Sequence, residues 1–157
     1  LFGGGQEKNL RPGTENIPGI AAFGLAAELS QQNLSDIAHQ IKNLTDQFLD
    51  ILKENGLDFS QNGKNTIPGV INLTFPNVDA QTLVMSLDMA GVAVSAGSAC
   101  SAGTVKVSGT LVEMGLNREA AACSIRISFG KYHTIEDIEF VAGKICDIIS
   151  KRQGING

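Results

Sequence analysis

The sequence predicts an α+β fold in which helices pack on one face of a small mixed or antiparallel sheet. Segments with the three-and-four spacing of a helix alternate with short segments rich in β-branched and aromatic residues. With 157 residues, of which 43% are hydrophobic, the chain suits one domain with a substantial core. The predicted order is helix, strand, strand, helix, strand, helix, strand, helix.

The first helix is predicted to start near Pro18, because proline fits the first helical turn, where its missing N–H would have no partner. An apolar run over residues 20–29 continues it, and the most regular helical spacing follows over Leu34–Glu54. Asn55-Gly56 supplies a stop signal. Residues 1–18, rich in Gly, Asn and Pro, predict an ordered loop before the helix.

The rest of the chain divides into short strands and three further helical stretches. Four segments are predicted as strands: Asp58–Ser60, Gly69–Phe75, Val92–Val94 and Ser124–Phe129. The helical stretches are Asp79–Ala90, Thr110–Leu116 with an added turn at Glu119–Ala122, and a last helix that follows Thr134. Asp79 is the expected N-cap of its helix, and Thr134 with Asp137 resembles a capping box.

Composition and charge exclude several classes of protein. The net charge is −4 and no basic stripe occurs, which argues against nucleic-acid binding. No apolar run approaches the roughly 18 residues of a membrane span, and no signal peptide is visible. Because only 18% of residues are charged, we expect something outside this chain to cover part of its apolar surface. The first residue is not Met, which suggests a fragment or ordering boundary.

The three cysteines, Cys100, Cys123 and Cys146, are odd in number, widely spaced and without a C-x-x-C pair. A disulfide scaffold or a metal site is therefore not expected, and a reducing, cytoplasmic location fits better. Cys123 starts an apolar strand and Cys146 lies inside the last helix, so both are interpreted as structural. Cys100 differs because residues 95–109 are small and polar, which predicts an exposed, mobile loop carrying a reactive thiol.

Arg126 and the N-terminal glycine-rich segment leave two interpretations open. Arg126, between apolar neighbours in a strand, could lie on the outer sheet face, which the pattern alone slightly favours, or grip a carboxylate with both arms of its guanidinium. Residues 3–16 could offer N–H groups, a hydroxyl and a charge to a phosphate, or form only a turn. His39 and His133 are interpreted as a solvated helix position and a cap neighbour.

Three segments together resemble the cysteine desulfurases, which belong to the class V aminotransferase group of fold-type I pyridoxal phosphate enzymes. Gly3–Asn16 is similar to that family's Gly-Gly-Gln-Glu…Arg-x-Gly-Thr-x-Asn signature, and Ser95–Ser101 to its Ser-x-Gly-Ser-Ala-Cys-Ser loop. Ser124–Thr134 is similar to its Arg-hydrophobic-Ser-hydrophobic-Gly strand and the Thr that opens the last helix. The motifs stand in family order over nearly the whole chain.

The resemblance implies an enzyme that converts L-cysteine to L-alanine with pyridoxal 5'-phosphate. Cys100 matches the nucleophile that becomes a persulfide, and Arg126 matches the residue that binds the substrate carboxylate. Thr14 matches a residue that reaches the cofactor phosphate of the neighbouring subunit in a homodimer, with Arg11 and Gly13 shaping its loop. The persulfide sulfur would pass to an acceptor protein, such as an iron–sulfur scaffold or a thiolation protein.

The resemblance also implies that the chain is incomplete as an enzyme. The family's cofactor lysine follows a Ser-x-His pattern, and no lysine of this sequence stands in that pattern. Residues 1–18 would then be a cofactor-phosphate and dimer loop from a preceding large domain. Residues 19–157 would be the C-terminal small domain with its mobile cysteine loop 95–109, inactive alone. Two alternatives remain: a non-catalytic persulfide carrier or scaffold-docking module, and a purely structural domain.

Overall fold

The computed structural model describes residues 2–97 and 107–153, and the chain forms two compact units, Leu1–Ile37 and Ala38–Gly157. Helix α1, Ile17–Glu54, contributes residues to both units. The first unit also contains a short 3-10 turn at Glu7–Asn9. Within the described ranges, no helix is long and apolar enough to cross a membrane.

Helix α1 begins where the sequence predicts it. The Asn16 Oδ1 accepts the backbone N–H of Gly19 at 3.1 Å, so Asn16 caps the helix, and Pro18 stands in the first turn. The two predicted stretches, residues 20–29 and Leu34–Glu54, form one continuous helix. This continuity has a local reason, because residues 30–33 contain neither Gly nor Pro.

Most of the large apolar residues of α1 that belong to the first unit are exposed in this chain. The exposed fraction is 77% for Phe23 and 58% for Ile20, and four more large apolar residues are also exposed: Ile17, Leu25, Leu29 and Leu34. An exposed apolar stretch of this length is unusual for a surface that faces only water. It supports the expectation that part of the apolar surface is covered by something outside this chain.

The second unit contains a four-stranded antiparallel sheet with the strand order β1-β2-β4-β3. The strands are β1 Ser60–Asn62, β2 Val70–Thr74, β3 Ser95–Ala96 and β4 Ser124–Ser128. Of the two predicted alternatives, a mixed or an antiparallel sheet, the antiparallel sheet is therefore confirmed. In the two central strands, side chains alternate between an apolar and a polar face.

Three helices cover the apolar face of this sheet. They are residues 38–54 of α1, helix α2 (Ala80–Met89) and helix α5 (Ile135–Gln153). Together with β2 and β4 they enclose one core, whose fully buried side chains include Phe48, Leu52, Leu73, Leu83, Leu87, Ile125, Ile138 and Ile145. Burying each such side chain contributes roughly 1.5–3 kcal/mol. The predicted packing of helices on one sheet face is confirmed.

Side-chain caps set the starts of the helices in the second unit. Asp79 caps α2 through its Oδ1, which accepts the Thr82 N–H at 2.8 Å. Thr134 and Asp137 exchange reciprocal hydrogen bonds at the start of α5. Both predicted caps are confirmed. Two short helices, α3 (Gly109–Glu113) and α4 (Arg118–Ala122), are capped by the side chains of Ser108 and Asn117.

Two strands lie away from their predicted positions. β1 is Ser60–Asn62 rather than Asp58–Ser60. The predicted strand Val92–Val94 is wrong, because the strand that pairs with β4 is Ser95–Ala96. Val92 packs into the hydrophobic core but does not pair with a strand. Its apolar character therefore indicated burial and not membership of the sheet. At the ends of the predicted loop 95–109, Ser95 and Ala96 form β3 and Ser108 is buried, whereas residues 98–106 lie outside the described residues.

We expect Gly69→Ala to destabilise the second unit by about 2–5 kcal/mol. Gly69 has φ +82°, and its carbonyl accepts the N–H of Phe129 at 2.7 Å. A Cβ would lie 2.6 Å from the Phe129 carbonyl oxygen and would also meet the side chain of Ile41. Backbone strain and overlap therefore add, and chemical denaturation would measure the loss.

Gly56→Ala is the matched control, because Gly56 has φ +70° but no atom within 4 Å of the position of a Cβ. It carries the strain without the overlap and should cost only about 1–2 kcal/mol. Equal losses in the two variants would show that the overlap at Gly69 is relieved at no cost.

Candidate functional site

A cleft of about 430 Å³ opens on the polar face of the sheet, opposite the core helices. Its floor is formed by β2 and β4, and its walls by the loop that follows β1 and by α3. The lining side chains are Asn62, Lys64, Thr66, Ile67, Val70, Asn72, Ser108, Thr110, Leu111, Met114 and Arg126. Two of these side chains are cationic and none is acidic, so the cleft favours a negatively charged ligand.

Arg126 lies in the floor of this cleft, where β4 positions it. In the sheet register it stands directly opposite Asn72 of β2 and Ser95 of β3. Its side chain is exposed and forms no ion pair or hydrogen bond with the described residues. The outer-face position that the sequence slightly favoured is therefore correct, and that face is the cleft floor. A guanidinium that has no partner among the described residues, in a cleft whose described lining has no acidic side chain, suits a carboxylate or phosphate.

A hydrogen-bonded network lies beside Arg126 on the same face of the sheet. Asn62 Nδ2 donates to Asn72 Oδ1 at 2.7 Å and to Thr74 Oγ1 at 2.8 Å. The hydroxyls of Thr74 and Ser124 are 2.7 Å apart, and Ser124 Oγ donates to the Ala120 carbonyl at 2.6 Å. Sequence reasoning missed Asn62 and Asn72, although Asn72 stands out as the one amide in the apolar strand β2.

Cys100 lies outside the described residues, but both ends of the segment that carries it are described. β3 precedes it, and Gly97 lines the cleft. On the other side, Ser108 is buried, caps α3 and lines the same cleft. Both described flanks of this segment thus border the cleft that contains Arg126.

The other two cysteines are placed as the sequence indicated. Cys146 is 8% exposed within α5, and burial raises the pKa of its thiol, with a smaller contribution from the neighbouring Asp147. A thiol held protonated in this way is a poor nucleophile. Cys123 is half-buried and ends α4. The burial of Cys146 supports its interpretation as a structural residue.

Thr14 belongs to the first unit and lies in a loop organised by its neighbours. Arg11 Nη1 donates to the carbonyl oxygens of Gly13 and Thr14 at 3.4 and 3.3 Å, and the Gly13 N–H donates to Gln6 Oε1 at 3.1 Å. Gly13 has φ +105°, which favours glycine. The prediction that Arg11 and Gly13 shape this loop is confirmed. Thr14 is exposed, and its hydroxyl has no hydrogen bond to any described residue.

The remaining candidates take the structural roles predicted for them. His133 Nδ1 accepts the Gly130 N–H at 2.9 Å next to the start of α5, and His39 is exposed on α1. Among the residues that the structure describes, no group of three or more His, Cys, Asp or Glu side chains could hold a metal ion.

Two relatives that both have IscS 1 in their names match this chain over almost its whole length. A Bacillus subtilis (strain 168) protein named IscS 1 is 41% identical over 96% of this chain. Cysteine desulfurase IscS 1 of Archaeoglobus fulgidus is 34% identical over 99% of it. The chain spans 41% of the length of each of these relatives.

Solved structures show the same similarity in three dimensions. A NifS-like protein from Rickettsia africae aligns with a TM-score of 0.78 and 35% identity, covering 96% of this chain and 39% of that one. Another structure, described as a NifS-like protein, aligns with a TM-score of 0.79 and 31% identity, covering 96% and 38%. The chain has the fold of the matching part of these proteins, which confirms the predicted fold class.

A sequence match to the family described as Aminotransferase class-V extends over residues 4–141. This range contains the described part of the cleft, the loop of Thr14 and the segment that carries Cys100. The chain therefore belongs to the class V aminotransferase family.

Proposed function

We propose that this chain is the C-terminal part of a pyridoxal-phosphate-dependent cysteine desulfurase, which converts L-cysteine to L-alanine and leaves the sulfur on Cys100. One observation carries the proposal. Arg126 has no acidic partner among the described residues, and it lies in a cleft bordered by both flanks of the segment that carries Cys100. This supports the proposal, because a substrate that carries both a carboxylate and a thiol would need a carboxylate-binding group and a nucleophile at the same cleft.

Arg126 would bind the α-carboxylate of the substrate. Its planar guanidinium can donate two parallel hydrogen bonds to the two carboxylate oxygens, which fixes both the position and the direction of the amino acid. Because β4 is hydrogen-bonded on both sides, the backbone at Arg126 is held in place. The thiol-bearing side chain of the substrate would then be oriented relative to the flanks of the segment that carries Cys100.

Cys100 would supply the nucleophile. The sequence places it three residues after Gly97, and three residues span at most about 11 Å. Its thiolate would attack the substrate sulfur, so that an S–S bond forms and the carbon–sulfur bond breaks. The bonding electrons remain with the substrate carbon, which takes up a proton and becomes the methyl group of alanine. The two sulfurs are oxidised as this carbon is reduced, and no outside oxidant is required.

Pyridoxal phosphate, when bound, supplies the electron sink that this carbon needs. Thr14 could bind the phosphate of that cofactor, because its hydroxyl is exposed and has no hydrogen bond to a described residue. The loop is held by Arg11 and Gln6, so the hydroxyl is not required for the loop itself. We propose that Thr14 donates to the cofactor phosphate of the neighbouring subunit in a homodimer.

Thr14→Val should weaken cofactor retention in the full-length protein by about tenfold, the worth of one hydrogen bond to a charged group. Valine keeps the shape of the side chain and removes the hydroxyl. Cofactor content after dialysis, read from visible absorption, measures the loss. Thr14→Ser keeps the hydroxyl and is the matched control. Equal retention by Thr14→Val and the unchanged protein would reject this role.

The remaining parts of the proposal concern the whole enzyme. We propose that residues 1–18 belong with a large domain, that residues 19–157 form the small domain, and that the enzyme works in the cytoplasm. The sulfur on Cys100 would pass to an acceptor protein, such as an iron–sulfur scaffold or a thiolation protein. The exposed apolar residues of α1 support a covering by another part of the enzyme.

The experiment that tests the function is an intact-mass measurement of the full-length protein after addition of L-cysteine, followed by peptide mapping. The expected result is one added sulfur on the peptide that contains Cys100, formed only when pyridoxal phosphate is present, together with L-alanine. Cys123 and Cys146 should carry no sulfur. A protein with bound cofactor that forms neither the adduct nor alanine would refute the proposed function.

A further inference from the structure

Asn72 is the neighbour of Arg126 in the cleft floor. A single row of polar residues crosses all four strands, because Asn62 stands opposite Asn72, Asn72 opposite Arg126, and Arg126 opposite Ser95. Residues in such a row point to the same face of the sheet. Asn62, Asn72 and Arg126 all line the cleft.

The direction of the hydrogen bonds beside this row follows from one fixed end. The Ala120 carbonyl can only accept, so the single hydroxyl hydrogen of Ser124 is used there. Ser124 must then accept the hydroxyl hydrogen of Thr74, which leaves Thr74 as an acceptor toward Asn62. The group of Asn62 that faces Thr74 is therefore its NH₂.

The same NH₂ group of Asn62 faces Asn72, which must present its carbonyl oxygen in return. The amide of Asn72 is thereby fixed in orientation, and its Nδ2 is turned away from Asn62. The one side-chain hydrogen bond of Asn72 among the described residues is made by its Oδ1, so its Nδ2 donates to none of them, although Asn72 lines the cleft. A fixed donor without a partner among the described residues thus belongs to the residue that stands directly opposite Arg126 in the sheet and lines the same cleft.

We propose that Asn72 is a positioning residue, which donates a hydrogen bond from Nδ2 to the carboxylate that Arg126 binds. This inference rests on the proposed function, since it names a second donor for the same substrate group. A fixed donor on the neighbouring strand, together with the guanidinium, would define the plane of the carboxylate better than a long, exposed arginine side chain alone.

The test uses the full-length protein with bound cofactor and compares two ligands, L-alanine and L-alaninamide, which lacks the carboxylate. Binding is followed through the cofactor's visible absorption, and the ratio of the two dissociation constants measures recognition of the carboxylate. Asn72→Ala should reduce this ratio about tenfold, because one hydrogen bond to a charged group is lost. Asn72→Asp keeps the acceptor that Asn62 requires and replaces the donor by a negative charge, so its reduction should be larger.

Gln61→Glu is the matched control for the charge. Gln61 is exposed on β1 and stands opposite Leu73, so it belongs to the other face of the sheet, and the ratio should not change. An unchanged ratio in Asn72→Ala and Asn72→Asp would overturn the inference, as would an unmodified protein that does not distinguish the two ligands. Turnover of L-cysteine by the unmodified protein is measured separately. Its loss would reject the desulfurase activity, whereas the ligand ratio alone decides the role of Asn72.

Discussion

Cys100→Ala is expected to abolish the transfer of sulfur from L-cysteine in the full-length protein and to leave the cofactor's visible absorption unchanged. The thiol is the only group of this side chain that could accept sulfur, and alanine offers no replacement. The loss should therefore be complete within the sensitivity of the assay, and not a graded loss of affinity. Both L-alanine formation and sulfide release in the presence of a reductant would measure it.

Cofactor absorption is the internal control, because it shows whether Cys100→Ala still holds its cofactor. The lysine that would bind the cofactor is expected outside this chain, so the substitution should not affect it. Cys123→Ala is the matched cysteine control, since Cys123 is half-buried at the end of α4 and no role in the reaction is proposed for it. It should turn over L-cysteine at the rate of the unmodified protein. Sulfur transfer that survives in Cys100→Ala would assign the nucleophile to another residue.

The parts of the fold that the sequence predicts well are those determined by neighbours in the chain. The caps at Asp79 and at Thr134 with Asp137 depend on side chains that lie three residues from the groups they bind. The central strands β2 and β4 are likewise visible in the sequence, because burial on one face produces alternation.

The misplaced strand has a different cause. Val92–Val94 is apolar because Val92 packs into the core, but pairing with β4 depends on where the chain passes along that strand. Short apolar runs report burial and do not distinguish a ladder from a buried coil. The apolar residues of α1 are a similar case. Helical spacing shows that these residues share one face of the helix, but not whether the surface that covers this face belongs to the same chain. Which of them are exposed here could therefore not be predicted.

The candidate site was predictable only in part. Arg126 and Thr14 stand in motifs that resemble a known family, whereas Asn62 and Asn72 are single amides whose meaning depends on the strand register. Asn62 meets Ser124 from a distant part of the sequence. A network that joins β1, β2 and β4 follows from tertiary structure, and no local pattern announces it.

Arg126→Ala is expected to raise the KM for L-cysteine roughly 30- to 150-fold, corresponding to a loss of about 2–3 kcal/mol. The guanidinium would bind the carboxylate through charge-assisted hydrogen bonds, and these exist in the bound substrate before the sulfur is transferred. The effect should therefore fall mainly on KM and less on kcat. Arg126 is exposed and has no partner among the described residues, so its removal should change the thermal stability little.

Two comparisons separate a carboxylate contact from a general effect of charge. Arg126→Lys keeps the charge but not the planar pair of donors, so its KM should lie between those of the unmodified protein and Arg126→Ala. Arg118→Ala removes an exposed arginine from α4, which does not line the cleft, and should leave KM unchanged. Cysteamine, which lacks the carboxylate, should bind the unmodified protein and Arg126→Ala equally. If Arg126→Ala retains the KM of the unmodified protein, the cleft binds the substrate through another group and the central argument for the proposed function fails.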